Sequence, residues 1–317
     1  MQFRRCGNSG LLLPEISLGL WHNFGDVDDY HNSQEMVWTA FENGITHFDL
    51  ANNYGPPPGS AETNFGRVLK DGFIKHRDEI IISSKAGYDM WPGPYGSAGG
   101  SKKYLIASLD QSLKRMGLEY VDIFYHHCPD SETPLEESMG ALEQIHACGK
   151  ALYIGISSYS PEDTTKAYEI LKSKNIPLLI HQPKYNMLHR NIENGLTDTI
   201  KELNIGCIVF SALAQGILSN KYLNGIPEDS RAFKSHGFLQ KESITKELLS
   251  KIQKLDEIAK VHNQTLAQLA INWCLRNKEV TSVILGASRT SQILDAVEAI
   301  NKKSLPNSVW EELNSIL

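Results

Sequence analysis

No apolar run in this 317-residue chain approaches the roughly 18 residues of a membrane-spanning helix, and the opening MQFRRCGNSG has no apolar leader segment. Cysteine is sparse and odd in number. Cys6, Cys128, Cys148, Cys207 and Cys274 include no C-x-x-C pair, which argues against a zinc knuckle, a redox dithiol or a disulfide framework. No metal is expected. Reduced thiols point to a reducing compartment, so a cytoplasmic location is expected, and Asn263-Gln264-Thr265 is then a chance sequon. Positive charge is also short: 31 Lys and Arg stand against 37 Asp and Glu, net -6, with both signs interspersed. That leaves no basic stripe for nucleic acid or anionic lipid. No low-complexity tract or composition break marks a linker, so residues 1–317 read as a single domain.

What the chain does have is rhythm. After a hairpin, FRRCGNSGLLLPEISLG, short β-rich runs alternate with amphipathic stretches to the end. Eight strands are predicted, near residues 16, 46, 81, 123, 154, 179, 208 and 283. Each is followed by helical sequence, for example SQEMVWTAFENG, KKYLIASLDQSLKRMG, IENGLTDTIKEL and TSQILDAVEAI. SPEDTTKAYEILKS carries its own start signal, with Ser160 as N-cap, Pro161 at the first helical position and Asp163 as a capping acid. Eight β-α units predict an α/β (β/α)₈ TIM barrel with an N-terminal β-hairpin. A doubly wound sheet is the competing fold, disfavoured because no G-x-G-x-x-G follows an early strand.

In a barrel of this kind, active sites gather at the C-terminal ends of the strands. There the chain places Asp49, Lys85, His126 and His127, Ser157 and Ser158, His181 and Gln182, and Ser211, with Tyr54 in the loop beyond Asp49. Singly, each has a bland reading: a cap, a solvated charge, a packed ring. Together, an acid, a phenol, a lysine and a histidine on three neighbouring strand ends form a chemical set. A free tyrosine titrates near pH 10 or so, and an adjacent ammonium is expected to lower that toward neutrality. A carboxylate would aim the lysine, and the tyrosine would protonate a carbonyl oxygen while a hydride reaches carbon. Strand side chains alternate in direction, so only one of His126 and His127 faces the mouth; parity alone leaves the choice open.

DLANNYG, SSKAG, VDIFYHHCP, YIGISSYS, HQPKYN and FSALAQGILSNKY, in that order along the whole chain, resemble the motifs of the aldo-keto reductase family. LWHNFG, NNYGPPPGSAE, KAGYDMWPGPYG and GISSYSPE resemble most closely a subgroup that holds bacterial reductases of short aldehydes and the β subunits of voltage-gated potassium channels. The resemblance implies an NADP-dependent oxidoreductase with the catalytic set Tyr54, Asp49, Lys85 and His127, the histidine being chosen by the family's His-x-Pro pattern. It implies that Ser157, Ser158 and Gln182 hold the nicotinamide amide, Ser158 replacing the usual asparagine. Phe210 or Tyr185 would stack on the ring. Ser211, Leu213, Gln215, Gly216, Ser219 and Lys221 would cradle the pyrophosphate, and Arg231 would belong to a clasping loop. Gly286, Ser288, Arg289, Gln292 and Asp295 would face the adenosine 2′-phosphate and adenine. Family members have Lys and Arg where Gly286 and Gln292 stand, which leaves Arg289 to supply the charge.

Trp21 is implied at both cofactor and substrate, with Trp91, Tyr54 and His127 as further pocket walls. The Gly/Pro-rich loop GYDMWPGPYGSAGGS is expected to act as a lid. The implied substrates are small aldehydes such as glyceraldehyde 3-phosphate or methylglyoxal, and the implied assembly is a homo-oligomer, tetramer or octamer. A regulatory nicotinamide-binding subunit of a potassium-channel complex is the alternative function. The intact catalytic set, and the expected lack of a long N-terminal extension, favour the enzyme.

Overall fold

The strand runs read from the sequence become the wall of a closed barrel. The computed structural model describes every residue except 97, 98, 224 and 226–243. Strands β1 (Phe3–Arg5) and β2 (Leu12–Pro14) form the antiparallel hairpin. The barrel strands are β3 (Ile16–Gly19), β4 (His47–Asp49), β5 (Ile81–Ala86), β6 (Val121–His126), β7 (Ala151–Ser157), β8 (Leu178–Gln182), β9 (Gly206–Val209) and β10 (Ser282–Leu285). They are parallel and ordered β10-β3-β4-β5-β6-β7-β8-β9, so the predicted (β/α)₈ barrel and its hairpin are both present.

The helices outside are α1 (Tyr30–Glu42), α2 (Ser60–Lys70), α3 (Lys102–Met116), α4 (Leu135–Ala147), α5 (Pro161–Ser173), α6 (Leu196–Leu203), α7 (Lys246–Val261), α8 (Leu266–Leu275), α9 (Thr290–Asn301) and α10 (Asn307–Ile316). Local chemistry explains their ends. The Ser160 hydroxyl accepts from the Asp163 N–H with Pro161 in the first turn, satisfying an otherwise orphaned helix-start donor. Thr265 and Gln268 form a reciprocal capping box on α8. The stretch IENGLTDTIKEL departs from the single helix expected of it. It divides into a short 3₁₀ turn over Asn191–Glu193 and α6, because Gly195 between them takes φ 96°, outside the helical region and readily accessible only to glycine. Among the described residues no helix is long and apolar enough to cross a membrane.

Two apolar regions hold the layers together. The larger lies between barrel and helices; the smaller fills the lower interior with Ile123, Tyr125, Ile180, Ile208 and Ile284, closed from below by Cys6 and Leu13 of the hairpin region. The fit at that floor is close: a Cβ built on Gly206 would lie 2.3 Å from the Cys6 sulfur. Glu15 anchors the hairpin, accepting from Arg4 at 2.8 Å and from Lys303 at 2.9 Å. All five cysteines are free thiols.

Candidate active site

Strand alternation, combined with the interior apolar set, decides between the two histidines. Ile123 and Tyr125 point into the barrel, so His127, two residues on, faces the mouth. Its ring centroid is 5.8 Å from that of Tyr54, in an edge-to-face arrangement. His126 points the other way, its Nδ1 2.5 Å from the Tyr159 hydroxyl. The structure therefore brings His127 to Tyr54 and leaves His126 in the shell.

Lys85 and Asp49 lie beneath the same ring. Lys85 Nζ is 2.5 Å from Asp49 Oδ2 and donates to the Leu50 carbonyl at 2.7 Å, and it sits 5.0 Å from the Tyr54 ring centroid. Both charges are sealed from solvent. Asp49 Oδ1 accepts from the Ser83 hydroxyl at 2.7 Å and from Gln182 Nε2 at 3.2 Å. A buried ion pair persists only when its remaining lone pairs and protons are satisfied, and these partners do that.

One electrostatic expectation is overturned. The Tyr54 phenol is raised well above its ordinary value, by burial first and then by the Asp49 and Tyr88 charges. The Lys85 charge is directed at Asp49 and Leu50, while burial pulls the ammonium itself downward against the pull of Asp49. In the cofactor-free protein Tyr54 is thus firmly protonated at neutral pH, an acid with its proton in place. His127 is held well below its usual range by burial, by Lys85 and by His126. It is a neutral imidazole, able to orient a carbonyl but holding no acidic proton to give. Its buried Nδ1 has no hydrogen-bond partner, an unmet polar atom at the mouth of the kind that marks a functional position.

The remaining predicted positions separate into groups. Ser157 lies at the end of β7, and its hydroxyl donates to the Gln182 carbonyl at 2.8 Å. Ser158 follows with φ 63°. Phe210 stands beyond β9, against the interior apolar set, whereas Tyr185 packs on Trp273 of α8 and donates to Glu193 at 2.7 Å. Of the two, Phe210 is the one that packs against the barrel interior. In the next loop Ser211, Ala214 and Gln215 take left-handed φ angles of 61°, 46° and 58°, followed by Gly216 at 95°. Non-glycine residues rarely adopt that conformation, and such strain clusters where backbone must be shown to a ligand. Leu213 lies within this turn; Ser219 donates to the Gly216 carbonyl at 2.5 Å, and Lys221 is exposed. Arg231 lies outside the described residues.

Beyond β10, Gly286, Ser288 and Arg289 are exposed, and nothing lies within 4 Å of a Cβ built on Gly286. Gln292 turns back to accept from the Ser288 N–H at 2.8 Å. Asp295 accepts from Gln268 at 2.7 Å and Thr265 at 3.1 Å, so its carboxylate is turned onto the start of α8. An open floor at Gly286, an exposed guanidinium and the strained loop after β9 together fit a phosphate-bearing dinucleotide. Asp295 is the one position in this group committed elsewhere.

Of the expected pocket walls, Trp21 lies 6.1 Å from Tyr54 by ring centroid, and Trp91 packs against Tyr104 at 5.3 Å. The sequence reading passed over Tyr88. Its ring meets His127 edge-on at 4.7 Å, and it is 43% exposed. Only its place two residues after the strand carrying Lys85 could have flagged it. The loop expected to be a lid is tied back at both ends, by Gly99 N–H to the Gly87 carbonyl at 3.0 Å and by Gly100 N–H to Asp130 at 2.7 Å.

The buried imidazoles give the fold an acid limit. Burial pulls His47 and His126 down to about 4, while the unfolded chain takes up those protons near pH 6.5 or so. Between those values the unfolded state binds more protons, so stability is lost as pH falls from 6.5 through 4. Each of the two contributes on the order of 3 kcal/mol by about pH 4. Urea midpoints measured from pH 7 to 4 should fall steeply over that window; a flat profile would contradict neutral buried rings.

The sequence model described as the aldo/keto reductase family matches residues 15–317. Two relatives named L-glyceraldehyde 3-phosphate reductase, from Escherichia coli O157:H7 and Escherichia coli strain K12, are 58% and 57% identical over 305 residues. Those alignments cover 95% of this chain and 88% of each relative.

Proposed function

The chain belongs to the aldo/keto reductase family, and from that premise we propose that it is an NADP-dependent reductase of short phosphorylated aldehydes, glyceraldehyde 3-phosphate first among them. The observation that carries the chemistry is the buried Asp49–Lys85 pair under a protonated Tyr54, with neutral His127 facing the same ring. A bound nicotinamide cofactor supplies the hydride. His127 orients the aldehyde oxygen, Tyr54 gives it a proton, and Lys85, held by Asp49, faces the phenolate that remains. Trp21 and Tyr88 wall the substrate; Trp91 supports that wall through Tyr104.

Ser157, Ser158 and Gln182 receive the nicotinamide amide, and Phe210 its ring. The loop from Ser211 through Leu213, Gln215, Gly216, Ser219 and Lys221 takes the pyrophosphate, using backbone N–H groups and one ammonium. Arg289, beside Gly286, Ser288 and Gln292, takes the 2′-phosphate. The substrate class is supported by the two relatives' names, which do not favour a regulatory channel subunit. A single catalytic domain, a cytoplasmic location suited to free thiols, and a homo-oligomer complete the reading.

The test is oxidation of NADPH with a panel holding L- and D-glyceraldehyde 3-phosphate, glyceraldehyde and methylglyoxal. The L-phosphate should give the highest kcat/KM; binding of NADPH without turnover on any aldehyde would overturn the assignment. For the cofactor, Arg289→Ala should raise the NADPH Kd about tenfold, the loss of one charge-assisted phosphate contact. It should leave the NADH Kd unmoved, both read by protein fluorescence; equal effects on the two cofactors would exclude a 2′-phosphate contact.

A further inference from the structure

Four polar side chains cross the barrel interior where aliphatic residues usually pack. They come from adjacent strands in the order β10, β3, β4, β5: Ser282, Ser17, His47 and Ser83, all fully buried. Ser282 Oγ lies 2.7 Å from Ser17 Oγ, Ser17 Oγ 2.9 Å from His47 Nδ1, and His47 Nε2 2.9 Å from Ser83 Oγ. Ser83 then meets Asp49 Oδ1 at 2.7 Å. Around the rest of the barrel the interior is lined by Ile123, Ile180 and Ile208, and Ile284 of β10 stands beside Ser17 in register.

Counting protons fixes the direction of every bond. An ionised carboxylate only accepts, so Ser83 spends its one hydroxyl proton on Asp49. The contact from His47 to Ser83 must therefore carry its proton on Nε2. Burial keeps His47 down to about 4, so the ring is neutral and Nδ1 is bare. Nδ1 accepts from Ser17, whose proton is then spent, and Ser282 must donate to Ser17. All four dipoles point at Asp49.

We propose that Ser282, Ser17, His47 and Ser83 form a one-way donor relay whose last hydroxyl holds Asp49 charged and fixed beneath Lys85, which makes Ser83 and His47 positioning residues for proton delivery by Tyr54. This rests on the roles given above to Asp49, Lys85 and Tyr54. Dipoles aligned in a dry interior polarise one another, and burying four polar groups is tolerable because each is satisfied. Other groups also face the carboxylate or its partner. Lys85 comes from β5, Tyr54 from the loop after β4, Tyr125 from β6 and Gln182 from β8. Beyond them, Glu62 from α2 and His127 after β6 act on Lys85 or are acted on by it. The relay is the set of donors reaching Asp49 from the floor of the barrel.

Two measurements test it. Nitrogen-15 spectra of the cofactor-free protein, with the His47 signals identified by their loss in His47→Gln, should show a neutral Nε2–H ring from pH 5 to 8. An Nδ1–H ring reverses the relay and overturns it. That spectrum needs no turnover, so an Nε2–H ring in a protein that reduces no aldehyde counts against the reductase reading while the relay stands. In kinetics, Ser83→Ala should lower kcat about tenfold with KM values kept, the loss of a hydrogen bond to a charged group. It should also move the acid-side fall of kcat upward by about one pH unit. Ser83→Thr, which keeps the hydroxyl, should restore both, and Ser17→Ala should give a smaller shift of the same sign. A packing role alone would change the melting temperature and leave the acid limb in place; that result would overturn the proposal.

Discussion

Replacing Tyr54 with phenylalanine is expected to lower kcat on short aldehydes by about 10²–10⁴-fold, the usual contribution of a positioned general acid, while the NADPH Kd stays within a factor of about two. The substitution removes one oxygen and keeps the ring that packs between Trp21 and His127 above Lys85, so the fold and cofactor face should be undisturbed. The alternative donor is His127, and its protonation state argues against it: a ring held neutral by burial, Lys85 and His126 has no labile proton to surrender at pH 7. His127→Gln, which keeps a hydrogen-bond donor at the mouth, should therefore cost less than Tyr54→Phe and show mainly in KM for the aldehyde. The check is single-turnover reduction followed at the nicotinamide absorbance, with binding read separately by fluorescence. Turnover retained by Tyr54→Phe would transfer the acid role to another group.

How much of this was legible in the chain depends on the range of the physics involved. Strand and helix periodicity is local, so the barrel could be read from short windows, and Ser160-Pro161-Asp163 announced α5 by itself. The proximity of the proposed catalytic set was legible because the barrel carries every strand's end to one face, making Asp49, Lys85 and His127 neighbours wherever they fall in the chain. Sequence parity could not choose His127 over His126 until Ile123 and Tyr125 were seen to face inward. The depressed tyrosine was expected from a pair, Lys85 beside Tyr54, but set by a triple. Asp49 engages the lysine charge and burial penalises the phenolate, and neither effect is visible in residue order. Asp295 is placed by motif position alone, and residue order does not show that its carboxylate accepts from Gln268 and Thr265 at the start of α8. Tyr88 and the serine–histidine line through the barrel went unread because their chemistry exists only across strands.

The Asp49–Lys85 pair should separate stability from catalysis. Lys85→Met leaves a carboxylate sealed in the barrel with Ser83 and Gln182 as its remaining donors, and removing one partner of a buried ion pair costs about 3–5 kcal/mol. Adding Asp49→Asn takes away the stranded charge; the amide can still accept from Ser83, and the methionine fills the space of the lysine stem. The double variant should recover most of the loss in urea unfolding, since an apolar or neutral replacement of a buried pair is often close to neutral. It should nonetheless turn over as poorly as Lys85→Met alone, because no ammonium faces the phenolate left when Tyr54 gives up its proton. A double variant as unstable as the single would mean that the pair is held by packing rather than by charge, and a double variant with restored turnover would remove Lys85 from the chemistry.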